Sequence, residues 1–355
     1  MGDPNVRLET NAPLEVIDAR VLFPSSKVRQ NSAGSLVRLV SGRLLLAFLQ
    51  ADNATLRNDG VVMLSFSDDN GASWEKPKAV YSNSGWRCLP MGGLVKFSDH
   101  LIRLIVGGVK VDKSLGGDEP FSHLYTTHIE SRDKGQSWSE PGPNISIFPC
   151  WTEMYGASNP HVLSDGRYML AGMGTVGRDD QWHAGVTFTE STTFRLTPPI
   201  IIAQSRDRNY SDIDVVRLPD DRFLAVIREH VTRQSFFAHS SDEGRNWTEV
   251  RPTGFKGANI KLFKLRSGDI LCSYRDEDTN RRGISCSISQ DSGETWNLIG
   301  QLYVADPNVV HRPMGLCGYP DMISIGSDEI ACVLHTYHDA DGSVDIHLVQ
   351  LKDLT

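Results

Sequence analysis

One eight-residue pattern, repeated four times, limits what this chain can fold into more than any other feature. The copies are Ser67-Asp68-Asp69-Asn70-Gly71-Ala72-Ser73-Trp74, Ser131-Arg132-Asp133-Lys134-Gly135-Gln136-Ser137-Trp138, Ser240-Ser241-Asp242-Glu243-Gly244-Arg245-Asn246-Trp247 and Ser289-Gln290-Asp291-Ser292-Gly293-Glu294-Thr295-Trp296. All read S-x-D-x-G-x-[STN]-W. Each follows a short run of apolar and hydroxyl residues, such as Val61-Val62-Met63-Leu64-Ser65-Phe66, so the context is strand, tight turn, strand. The Asp can bond turn backbone, the Gly supplies a positive φ, and the Trp packs on a sheet edge. A repeated turn means a repeated unit.

A second repeat gives the count. A turn followed by an apolar run occurs at Ser41-Gly42-Arg43, Ser98-Asp99-His100, Asp165-Gly166-Arg167, Asp220-Asp221-Arg222, Ser267-Gly268-Asp269 and Ser327-Asp328-Glu329. Another strand precedes each, over 34–39, 92–97, 159–163, 214–218, 260–265 and 322–325. Each unit then reads as strand A, turn, strand B, strand C, the Asp-Gly-Trp turn and strand D. Four-stranded units recurring every 45 to 65 residues or so predict an all-β, six-bladed propeller filling 1–355 as one domain. The third unit has a decayed turn at Thr189-Glu190-Ser191-Thr192-Thr193-Phe194. The sixth runs out after a strand over 344–351, and residues 15–22 are expected to supply its outer strand.

Composition narrows the partners. A net charge of −8 argues against nucleic acid. The longest apolar runs are strand length, so no membrane span is expected. Met1-Gly2-Asp3-Pro4-Asn5 lacks the basic and apolar parts of a signal peptide, which leaves location open between cytoplasm and secretion with the signal removed. The six cysteines are scattered and read as reduced, strand-packing thiols. No C-x-x-C or H-x-x-x-H spacing points to zinc, and neither a metal nor a cofactor is expected.

The blade pattern also assigns faces. The Asp-Gly-Trp turns fall on the face of the A–B turns, so Asp69, Asp133, Asp242 and Asp291 read as turn formers. The opposite face gathers the starts of A, the ends of B and the starts of C. Strand A lines the channel there, and ligand sites belong on that face. It carries Tyr155, Asp212, Asp214, Asn259, Tyr319 and Asp321 at strand-A starts, with Arg228, Arg275 and His335 at strand-B ends. Arg281 and Arg282 stand before a strand C. Units four to six are rich in Arg, Asp and Tyr, and units one and two are bland. Clustered arginines favour an anionic ligand, because guanidinium grips carboxylate in a bidentate way. The acids of Arg275-Asp276-Glu277-Asp278 read as an exposed charged loop, with Arg275 facing ligand. His161 and His335 read as hydrogen-bonded core or rim residues.

Four such turns on six repeated units resemble the sialidase (neuraminidase) superfamily, whose six-bladed propellers carry the same Asp boxes. The resemblance covers nearly the whole chain. In that superfamily three arginines hold the substrate carboxylate, a Tyr is the nucleophile with an acid as its base, and an Asp is the acid/base. The resemblance implies that Asp212 and Arg228 are the fourth-blade acid and arginine, with Asp in place of the usual Glu. It implies that Arg281 or Arg282, in Asn280-Arg281-Arg282-Gly283, is a further clamp arginine. It implies that Tyr319, in Gly318-Tyr319-Pro320-Asp321-Met322, is the nucleophile. A phenol ionises near pH 10, so it needs a carboxylate to take its proton and cations to favour phenolate. The chain departs from the pattern twice. Ser32 stands where the first-blade arginine belongs, and Arg87-Cys88-Leu89-Pro90-Met91-Gly92 contains no acid.

The expectation is a carbohydrate-active enzyme divergent from true sialidases, with Tyr319, Asp212 and Arg228 catalytic. Arg275, Arg281, Arg282, Asp214, Asn259, Asp321 and Tyr155 would bind an acidic or polar glycan. Glycosidic hydrolysis leads. Elimination on a uronate and glycan binding without turnover stay open.

Overall fold

The computed structural model describes residues 6–25, 29–52, 58–115, 121–148, 150–153, 160–177, 181–278, 280–305, 317–337 and 344–355. Among them there is no α-helix, and no helix is long and apolar enough to cross a membrane. The second strand of a unit is strongly apolar, because units pack on both of its faces. Leu44–Asp52 reads LLLAFLQAD, and Leu44 to Phe48 are fully buried. Phe223–Glu229 is buried along its whole length. Continuous apolar runs of this kind mark strands covered on both sides.

Unit one is the sheet Arg29–Arg38, Leu44–Asp52, Val61–Ser67 and Lys78–Ser82. Unit two holds Arg87–Ser98, Leu101–Val111 and Phe121–Ser131; its outer edge is closed by single bonds such as Ile145 N to Thr126 O at 2.7 Å. In unit three, Cys150–Glu153 and His161–Val162 share the partner Tyr168–Thr175, followed by His183–Thr189 and Ile200–Ala203. The inner strand expected at 159–163 is therefore split, and Asn159 lies outside the described residues. Unit four is Tyr210–Arg217, Phe223–Glu229, Gln234–Ser240 and the first part of Arg251–Lys264. The rest of that long strand opens unit five, followed by Ile270–Asp276, Gly283–Ser289 and Asn297–Val304. Unit six is Cys317–Ser324, Glu329–Tyr337 and Val344–Asp353.

The expected closure is present. Leu14–Phe23 pairs antiparallel with Val344–Asp353, Leu14 opposite Asp353 and Phe23 opposite Ile346. A short strand that the sequence pattern missed, Arg7–Leu8, caps the outer edge of unit five. Six apolar clusters lie between consecutive units, including one between units six and one around Leu36, Leu46, Val333 and Leu348. Buried polar bonds follow the same order. Asp321 Oδ2 accepts from Leu36 N at 2.7 Å (unit six to one) and Ser35 Oγ from Leu94 N at 3.0 Å (one to two). His161 Nε2 meets Val215 O at 2.8 Å (three to four), and Asp214 Oδ2 accepts from Leu262 N at 2.8 Å (four to five). The units thus form a closed ring, the geometry of a β-propeller.

The repeated turns are structural in each copy. Asp291 Oδ1 accepts from Thr295 N at 2.8 Å and Oδ2 from Thr295 Oγ1 at 2.6 Å, while Trp296 Nε1 donates to Gly293 O at 3.0 Å. These bonds hold the Asp291 carboxyl below its ordinary range against the opposing effect of burial. The glycine is needed twice over. Gly293 has φ 93°, and a Cβ there would stand 2.7 Å from Leu224 of the preceding unit. Where unit three lost this turn, a buried arginine replaces it. Arg103 donates to Ser191 O at 2.6 Å and to Glu130 at 2.7 Å, sandwiched between the Phe97 and Phe194 rings.

Candidate active site

Three inner strands break their register at the same place. The shift falls between Ser211 and Asp214 in unit four, Ala258 and Lys261 in unit five, and Gly318 and Asp321 in unit six. Each bulge holds one non-glycine residue in the left-handed region: Asp212 at φ 45°, Asn259 at 52° and Tyr319 at 50°. A bulge re-aims the side chain it carries. Left-handed backbone costs a residue with a Cβ about 1 kcal/mol or more; elsewhere in the chain it occurs in tight turns, such as Asn70, Lys134, Glu243 and Ser292 of the repeated turns, and within inner strands it falls at these three bulges. The next strand supplies a partner at one fixed register. Arg228 lies opposite Ser211, Arg275 opposite Ala258 and His335 opposite Gly318.

The side chains meet in one ion network. Arg228 Nη1 donates to Asp212 Oδ2 at 3.1 Å, and its Nη2 reaches Glu277 Oε1 at 3.5 Å. Arg275 donates to the same Oε1 from Nε at 3.1 Å and Nη2 at 3.0 Å. Arg233 Nη1 donates to Glu277 Oε2 at 2.9 Å. Burial alone would raise the Glu277 pKa, but Arg275, Arg228 and Arg233 outweigh it and hold the carboxylate below its ordinary range. Burial likewise works against the Arg275 charge, yet Glu277, Asp212 and Tyr319 raise its pKa. Arg275, from unit five, thus feels the acid of unit four and the phenol of unit six together. The Tyr319 ring stacks on His335 with centroids 5.6 Å apart. Burial, then Arg275, pushes the His335 pKa down to about 3, so its imidazole is neutral. Asn259 fills the space beside unit six, since a Cβ at Gly318 would stand 2.5 Å from its Oδ1.

Asp214 and Asp321 lie two residues beyond the bulges and are buried. Both carboxylates accept from the backbone of the next unit, as given above, and both flank the buried Lys261. Its Nζ is 3.0 Å from Asp321 and 3.9 Å from Asp214. Burial moves the Asp214 pKa up to about 6 against the pull of Lys261. These acids tie units four, five and six together behind the site. Arg281 is turned away, half exposed, with Nε 3.2 Å from Asp276 and Nη2 3.1 Å from Asp278. Arg282 stands beside it, partly buried. Tyr155 lies outside the described residues.

The exposed-loop reading of 275–278 is corrected for two of its acids. Asp276 is buried, accepting from Ser285 Oγ at 2.6 Å, and Glu277 is buried at the centre of the network. Pleat period was the overlooked signal. Residues i and i+2 of a strand share a face, and Glu277 N continues the ladder by donating to Lys256 O, so Glu277 sits on the Arg275 side.

The chain belongs to the BNR repeat-like domain family, whose model matches residues 42–332. A similar solved structure is a protein of unknown function from Dyadobacter fermentans, with TM-score 0.76 and 18% identity over 96% of this chain and 99% of that one. The Hadza microbial sialidase Hz136 is similar at TM-score 0.69 and 21% identity, over 94% of this chain and 68% of that one. The Penicillium chrysogenum α-L-arabinanase complexed with arabinobiose is similar at TM-score 0.64 and 12% identity, over 96% and 99%. No curated protein matches the chain. The fold is that of the sialidase-like superfamily, shared by sialidases and arabinanases and thus by glycoside hydrolases, and the chain is divergent from true sialidases.

Proposed function

We propose that this chain is a glycoside hydrolase that removes a terminal residue from a polar glycan, with Tyr319 as nucleophile and Asp212 as its base. The triple bulge carries the reading. Three consecutive units place Asp212, Asn259 and Tyr319 in costly backbone at one position, with Arg275 coupled to both the acid and the phenol. In the proposed step Asp212 takes the phenol proton, the phenolate oxygen bonds to the anomeric carbon, and the glycosidic bond breaks with its electron pair on the leaving oxygen, which takes a proton from water. A second water then adds to the anomeric carbon, giving its proton to the hydroxide left behind, while the tyrosine oxygen leaves and recovers its proton from Asp212. Arg275 favours phenolate, and neutral His335 supports the ring without competing for the proton.

A second reading, glycan recognition without turnover, is favoured by one observation. The bulge of unit two holds Pro90 and Met91, both buried, and no acid stands there to protonate a leaving group. Digestion of a mixed glycan panel with mass detection decides between them. The panel should include sialosides and arabino-oligosaccharides, since fold neighbours are named for both. Released monosaccharide supports hydrolysis, an unsaturated product indicates elimination, and saturable binding without product supports recognition alone.

A further inference from the structure

We propose that Glu277 is a built-in counter-ion that fills the arginine clamp, so that the site selects an uncharged sugar over a carboxylated one. The inference rests on the reading of this site as a sugar site. Three guanidiniums from two units converge on one carboxylate of the chain itself: Arg228 at 3.5 Å, Arg275 at 3.0 and 3.1 Å, and Arg233 at 2.9 Å. Such convergence, with both oxygens engaged, is what an anionic substrate would otherwise have to supply. A second carboxylate brought to the same guanidiniums would meet Glu277 and Asp212, and like charges in a buried site repel strongly.

Glu277 stands on a fixed segment of backbone. Its backbone N–H donates to Lys256 O at 3.1 Å. The adjacent Asp276 is pinned by Ser285 Oγ at 2.6 Å and Arg281 at 3.2 Å, and its Oδ1 accepts from Asp278 N at 2.9 Å. The hydrogen-bonding capacity left over suits a neutral ligand. Among the described residues Asn259 Oδ1, Ser211 Oγ and Arg228 Nε are buried without a protein partner. In general a hydroxyl donates to an amide oxygen and accepts from a guanidinium N–H. A carboxylate cannot donate to the amide oxygen at all. An unfilled acceptor in a buried site is costly, so this atom discriminates against an ionised group.

The test compares wild type with Glu277→Ala and Glu277→Gln, and it needs no turnover. Sodium acetate is titrated against sodium chloride at equal ionic strength while Tm is followed. Acetate should raise the Tm of Glu277→Ala, where the clamp is vacated, and leave wild type unchanged. On a glycan array with neutral, uronate and sialylated members, wild type should favour neutral members by tenfold or more. Glu277→Gln should lose that preference. If Glu277→Ala does not fold, the Gln variant and the two wild-type arms still decide. The inference is overturned if acetate stabilises wild type as much as the variant. It is also overturned if folded Glu277→Ala ignores acetate, or if wild type prefers acidic members. The two proposals fail separately. Absence of any cleavage defeats the hydrolase reading and leaves the acetate result intact, whereas release of a uronic or sialic acid by wild type defeats the role of Glu277 and leaves the hydrolase reading standing.

Discussion

Units four to six and units one and two use the same bulged inner strand for opposite ends. Opposite the start of the bulge stand Arg228, Arg275 and His335 in the first group, but Leu49 and Gly107 in the second. Inside it are Asp212, Asn259 and Tyr319 against Pro90 and Met91. Beyond it, Asp214 and Asp321 tie each strand to the next unit, and Ser35 makes the same bond in unit one with a neutral hydroxyl. The backbone device is common property, and in units four to six it carries an acid, an amide and a phenol. The charged half is also interdependent. Removing an apolar residue from unit two leaves a cavity, whereas removing one ion from units four to six leaves its partners buried and uncompensated.

The largest effect that could break this contrast is on turnover. Tyr319→Phe should lower kcat by about a thousandfold or more while keeping most of the binding, because it deletes one oxygen and little volume. Rates and Kd on one substrate check it, and undiminished turnover would move the chemistry away from unit six. Next comes stability. Arg228→Ala should destabilise by about 3–5 kcal/mol, since Asp212 and Glu277 lose a buried partner. Urea unfolding tests this, and a loss under about 1 kcal/mol would show that the charged network is not coupled.

Acidification should also test the charged half. Burial holds His335 neutral, with its pKa depressed to about 3, whereas the unfolded chain binds a proton near pH 6.5. Its contribution to stability is therefore present above pH 6.5 and lost as pH falls toward 3, by about 1.4 kcal/mol per pH unit. His335→Gln should flatten the fall in stability between pH 6.5 and 5, and an unchanged slope would contradict a neutral imidazole under Tyr319. The smallest effect lies on the other face. Asp291→Ala should cost about 1 kcal/mol and leave ligand affinity alone. Lost binding at unchanged Tm would give the repeated turns a role beyond folding.

Much of the architecture was legible because it is local. A tight turn needs its Asp, Gly and Trp within eight residues, and a buried strand needs an apolar run, so both leave a mark in the chain. The closing strand was legible because unit six lacked an edge. Arg7–Leu8 was not, because two residues carry no period. The candidate site was legible only as a set of positions. Asp212, Arg228, Arg275 and Tyr319 stand at recognisable strand ends, but those same strand ends made Asp214 and Asp321 look like ligand contacts. Their carboxylates turn to the neighbouring unit, which only the bulge two residues earlier decides. Arg281 read as a clamp from its neighbours in sequence, and in the fold it clamps its own loop through Asp276 and Asp278.

By itself the sequence determined the all-β class and the repeated strand-and-turn unit, because both follow from spacing along one strand or turn. Only the tertiary structure decided that Glu277 answers three arginines from two units, that Lys261 sits between Asp214 and Asp321, and that Arg103 stands in for the lost turn of unit three. Ion pairing in a buried site depends on distances of a few ångströms between residues tens of positions apart. Those distances are set by how the ring closes, and no periodicity in the chain encodes them.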